Sequence, residues 1–178
     1  MEITPDELEK FKKEMEEQQR IGIELSQKEQ EYRTLTKSGD LQLTIDWEDE
    51  ISKVDLDFIK SKINIDGLDS FEENFDVVYL DLDSIVDFHC DNADEVYPKD
   101  KLWDTCRADR NITKLISHIK EGKSVCPPVI DFVYVQLTGT ITFSILDGNH
   151  RIALSRFLGL DKIPFIVRKN NIERINQI

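Results

Sequence analysis

Asp147-Gly148-Asn149-His150-Arg151 is the stretch whose residue types and spacing best suit chemistry. Before it, Thr140 to Leu146 is β-branched and apolar and reads as a buried strand. After it, Ile152 to Leu158 reads as a short helix stopped by Gly159. A strand that turns through Asp-Gly into a helix leaves the first N–H groups of that helix without intrahelical partners, at the positive end of its dipole. With a guanidinium beside them, these groups make a receptor for phosphate or carboxylate. The same residues also fit a plain helix start carrying a surface arginine.

A second cluster lies upstream. Asn111, Lys114 and His118 fall at i, i+3 and i+7, on a helix face distinct from the apolar Ile112, Leu115, Ile116 and Ile119. Asn111 is expected to cap this helix and Gly122 to end it. The long polar stretch from about Asp87 to Asp109 offers the acids Asp87, Asp91, Asp94 and Glu95, and a Trp103 that either stacks on a base or anchors the loop. His89, Cys90, Asp91 and Cys106 lack metal-ligand spacing, so no protein metal site is expected.

Elements on both sides must hold these residues. Thr4-Pro5-Asp6-Glu7 matches a capping box, and a seam of Leu8, Phe11, Met15, Gln18, Gly22, Leu25, Glu29 and Tyr32 follows it to a helix end near Ser38-Gly39. Gln18, Gly22 and Glu29 interrupt that seam. The helix either packs on its own domain or serves, through residues 5–37, as an arm for a homodimer or protein partner. Leu41 to Trp47 alternates as a short strand would, Val54 to Ile63 reads as a helix, and Asp66-Gly67 as a turn. Asp76 to Leu82 reads as a strand closed by Asp83 to Val86, Val129 to Gln136 as another, Leu137-Thr138-Gly139 as a hairpin turn, and Lys162 to Val167 as the last strand.

Composition narrows the classes. Apolar content of 39% is enough for a core in 178 residues, and no apolar run approaches a membrane span. The acidic opening has no apolar signal-peptide core, and three separated cysteines suit a reduced, cytoplasmic protein. A net charge of −13 opposes nonspecific nucleic-acid binding.

The order of these elements resembles the ParB/sulfiredoxin superfamily over about residues 76–168. Val78 to Ile85 is similar to the family's opening strand, Asn111 to Gly122 to its small helix, Cys126-Pro127-Pro128-Val129-Ile130-Asp131 to its proline-rich hairpin entry, and Ile163-Pro164-Phe165-Ile166-Val167 to its closing strand. The resemblance implies an α+β fold: a small mixed sheet with short helices over residues 75–178, preceded by a helical extension over residues 1–74. It also implies a pocket between the 147–151 turn and the small helix. Sulfiredoxins bind ATP there, ParB proteins bind CTP, and a related serine kinase takes a nucleotide phosphate donor. By that resemblance Gly148, Asn149, His150 and Arg151 hold phosphates, Arg151 as a fork on two oxygens and His150 as donor and proton shuttle. Asn111, Lys114 and His118 fall where sulfiredoxins contact ATP.

Departures limit the transfer. Asn149 stands where a sulfiredoxin needs its cysteine, and Gly148-Asn149-His150-Arg151 differs from the ParB Gly-Glu-Arg-Arg box. The expectation is a nucleotide or phosphorylated ligand, ATP or CTP with Mg²⁺, with phosphotransfer or hydrolysis served by His150 and Asp147. The alternatives are a non-catalytic interaction protein using the N-terminal helix and a ParB-like nuclease.

Overall fold

The computed structural model describes residues 4–62, 68–90, 93–104, 109–135 and 140–177. In chain order the elements are α1 (Pro5–Ser38), α2 (Leu56–Lys62), α3 (Phe71–Asn74), β1 (Phe75–Asp81), α4 (Leu82–His89) and α5 (Ala93–Val96). Then follow α6 (Asp109–Lys120), β2 (Val129–Val135), β3 (Thr140–Asp147), α7 (Asn149–Phe157), β4 (Lys162–Arg168) and α8 (Ile172–Ile175). The four strands form one mixed sheet in the order β1-β4-β2-β3. The outer pairs are antiparallel, and the central β2–β4 pair is parallel. The class is α+β with a long N-terminal helix.

β4 shows why the sheet needs two covered faces. Ile163, Phe165 and Val167 project into one core and Ile166 into the other, all of them fully buried. Pro164 is tolerated in this inner strand because the β2–β4 pairing involves only Ile166 and Val167, so the missing N–H costs no ladder bond. On one face lie α4, α6, α7 and the end of α1, through Leu82, Ile85, Ile112, Ile116, Leu154 and Tyr32. On the other, Val54, Ile59 and Phe71 pack on Phe75, Val129 and Ile166. Residues on both sides of position 74 therefore share both cores.

α1 starts as its sequence dictates. Thr4 Oγ1 accepts from Glu7 N–H at 3.3 Å, and Glu7 Oε2 accepts from Thr4 N–H at 2.9 Å, closing the capping box. Its last turns dock on α6: Tyr32 is buried, its hydroxyl lies 3.1 Å from Ser117 Oγ, and Lys120 sits over its ring. Trp103 anchors its segment, donating from Nε1 to Thr36 Oγ1 at 2.9 Å beneath the Arg33 guanidinium.

Three expected elements are corrected. Leu41 to Trp47 alternates in burial but joins no strand; its one ladder contact is the Trp47–Val125 bridge. Apolar contacts of Leu41, Leu43 and Ile45 explain the alternation without a sheet. Asp83 to Val86 does not close β1 but lies in α4, because Asp81 accepts from Ser84 N–H at 2.8 Å and so caps a helix. Asn111 does not cap α6, which begins at Asp109. The turns expected at Asp66-Gly67 and at 137–139 lie outside the described residues, as do Asp91 and Cys106.

Asp131 is a buried carboxylate in β2. It accepts from Arg168 Nε at 3.0 Å, Asn171 Nδ2 at 2.5 Å and Phe132 N–H at 2.8 Å, tying β2 to β4 and to the chain beyond it. Asp131→Ala is expected to cost about 2–4 kcal/mol, since it leaves a partly buried guanidinium without its charge partner. Urea unfolding measures this; a loss within error of zero would remove Asp131 from the account.

Candidate functional site

Gly148 places the site. It ends β3 at a φ of 102°, a conformation that glycine adopts without strain, and a Cβ there would stand 2.6 Å from Cβ of Pro128. Gly148 stands at the N-cap of α7 and has no side chain to offer its first turn. This helix end borders a cavity of about 480 Å³, a size that suits a small molecule.

The cavity brings together the two clusters separated in sequence. Asn111, Lys114 and His118 from α6 and Asp147, Gly148, His150 and Arg151 from the turn all line it. Asn149 does not. Its side-chain oxygen accepts from the Tyr97 hydroxyl at 2.5 Å, which leaves its backbone N–H as the group it can offer to a phosphate. His118 Nε2 faces the Ser124 carbonyl oxygen at 2.8 Å; a carbonyl only accepts, so Nε2 carries the proton and Nδ1 is the acceptor in the neutral ring. Ser124 in turn donates to Asp46 at 2.7 Å, which fixes the loop below α6.

Arg151 differs most from expectation. Its side chain is buried; Nη1 donates to the carbonyls of Cys126 at 2.5 Å and Pro127 at 2.9 Å, and Nη2 pairs with the Asp147 carboxylate. The guanidinium also lies 5.8 Å from the Phe58 ring centre. These bonds commit three of the five guanidinium donors to the cavity wall, which Arg151 itself lines. Asp147 is occupied by the same pair and acts as a positioning carboxylate. The second arginine of α7 is equally committed: Arg156 donates to Asp83, Tyr97 O and Asp94. Asp94 thus serves a structural ion pair, and Asp87, Asp94 and Glu95 do not line the cavity.

The lining also includes residues that no local motif announced: Glu48, Asp55 and Phe58. Nothing in their spacing pointed to the turn almost a hundred residues away, although a buried acid near an arginine is a pairing to look for. Glu48 Oε2 is buried with no hydrogen-bond partner among the described residues. Burial raises the carboxyl above its ordinary value, while a backbone hydrogen bond from Asp55 and the Arg151 charge oppose the rise. Burial likewise pushes the Cys126 thiol up to about 12, so it is not a nucleophile at neutral pH. Among the described residues no three or more His, Cys, Asp or Glu side chains converge to hold a metal ion, and no helix is long and apolar enough to cross a membrane.

No family model, no curated protein and no solved structure matches this chain.

Two outcomes test this geometry. Arg151→Lys should cost about 2–3 kcal/mol, because a point ammonium cannot span two carbonyls and a carboxylate; an unchanged unfolding midpoint would show that the staple contributes nothing. Glu48 gives a pH signature. Its raised folded-state value means that the folded protein holds the proton more tightly than the unfolded chain. The resulting contribution is fully present below the ordinary carboxyl value of about 4.3 and is lost as pH rises through the raised value. Glu48→Gln should therefore raise Tm over wild type near about pH 8, with the gap shrinking near about pH 4. A gap of the same size at both would refute the assignment.

Proposed function

We propose that this chain is a ParB/sulfiredoxin-like domain that binds a nucleotide or other phosphorylated ligand in the cavity between α6 and the Gly148 turn, acting in the cytoplasm. The observation that carries the reading is that the N-terminus of α7 and the polar face of α6 border one cavity. The first N–H groups of α7 point their positive ends at a phosphate, and Lys114, exposed at the rim, supplies the mobile cation. Arg151 supports the reading indirectly, by fixing the turn and the Cys126–Pro127 backbone against each other. Phe58 and Leu115 provide apolar surface for a base, while Glu48 and Asp55 are acceptors suited to amino or hydroxyl donors.

The site could host phosphotransfer or nucleotide hydrolysis. His150 and His118 line the cavity, and either imidazole would move a proton to or from a phosphate oxygen or an acceptor hydroxyl. Mg²⁺ is a cofactor the resemblance implies. The described side chains do not form a cage for it, so Mg²⁺ would arrive on the nucleotide.

Titration of ATP, CTP and GTP, each with Mg²⁺, followed by calorimetry, tests the reading. Wild type should bind at least one of them. Lys114→Ala should weaken that binding by about tenfold, the scale of one charge-assisted contact, while Asn149→Ala should leave it nearly unchanged. Absence of binding by wild type to any of the three ends the proposal.

A further inference from the structure

The part of α1 that no domain contact explains is its first two-thirds. Every residue from Thr4 to Ile21 is exposed, and the helix reaches its own body only through its last turns. Yet this arm carries Leu8 at 46%, Phe11 at 59% and Met15 at 56% exposure, all on the seam that continues through Gly22 and Leu25 to the buried Tyr32. One seam therefore has two tenants. The domain covers it from about Lys28 onward, where the Lys28 charge acts on Glu121 at the α6 end, and among the described residues Leu8, Phe11 and Met15 are left uncovered.

We infer that a second copy of this chain covers it, the two α1 arms pairing antiparallel over residues 8–25. Size complementarity selects this register. With Leu8 opposite Leu25 of the second copy, Phe11 falls opposite Gly22 and Met15 opposite Gln18, and the twofold axis repeats each layer. Antiparallel helices oppose positions of these two seam types in this way. Gly22 has nothing within 4 Å of where its Cβ would be, which leaves a hollow in the seam at that position. That hollow receives the Phe11 ring. A parallel pair would set Gly22 on Gly22 and Gln18 on Gln18, leaving a gap and burying two amides together.

Charge and length agree with the antiparallel register. Glu7 of each copy flanks Lys28 of the other, Lys12 meets Gln19, and no like charges oppose each other beside the seam. Pro5, the first helical residue, falls level with Lys28 of the second copy, where that copy's own domain takes over the seam. The arm is thus as long as the surface it must cover, and the antiparallel dipoles align favourably. The two domains would stand at opposite ends of a two-helix rod.

Sedimentation of the full chain across a concentration series tests this, with circular dichroism to verify folding. Wild type should show a reversible monomer–dimer equilibrium; a monomer at every concentration overturns the inference. Gly22→Leu should weaken the dimer by about tenfold or more, although it makes the arm more apolar and a better helix, because the ring of Phe11 loses its hollow. Association that is unchanged or tighter overturns the register. Under mild oxidation, Leu8→Cys mixed with Leu25→Cys should give a cross-linked dimer above the wild-type background of native thiols. Neither variant alone should, since like positions lie about 25 Å apart; a cross-link within one variant alone overturns the antiparallel order.

Discussion

The Arg151 guanidinium is the interaction on which the surrounding structure depends. It draws together the end of β3 through Asp147, the backbone of the Cys126–Pro127 entry to β2, and the Phe58 ring of α2. Those segments come from three regions of the chain, and of them only β2 and β3 are otherwise joined, through their strand pairing at Val129 and Asp147. A buried planar cation fixes direction as well, because each donor has a set line of approach. The cavity exists because this cation holds its walls apart and in register.

That arrangement also shapes the electrostatics. With Arg151 paired to Asp147, the cavity lining retains Glu48 and Asp55 together with Lys114. Its field is therefore mixed, not uniformly positive. A ligand that carries both negative charge and hydrogen-bond donors would match this lining better than a bare anion. Glu48 is its most sensitive part: its carboxyl is raised by burial and its Oε2 lacks a partner among the described residues.

Much of this was legible in the residues. The capping box of α1, the strand–turn–helix at Gly148, the polar face of α6 and the strands β1, β2, β3 and β4 all follow from local patterns, and local patterns are what a sequence displays. The errors share a cause. Leu41 to Trp47 alternates because one side of an extended chain meets apolar residues, which a periodicity of two cannot distinguish from pairing. The wall contacts of Arg151 were not legible because its partners, the carbonyls of Cys126 and Pro127, have no side-chain signature; only the Asp147–Arg151 spacing of four hinted at the pair. Glu48, Asp55 and Phe58 were missed because tertiary contact alone joins them to the turn.

The placement of β1 at the sheet edge has a consequence for how the chain must mature. Its sole strand partner is β4, with Phe75 opposite Arg168 and Asp81 opposite Lys162, so its hydrogen bonds close a loop that encloses nearly the whole remaining domain. The β2–β3 hairpin can form from neighbouring residues, whereas β1 waits on the ribosome with Val77, Val78 and Leu80 unpaired until the last strand emerges. The first strand to be synthesised is the last to be secured, and during that interval its apolar edge is the segment most in need of a chaperone.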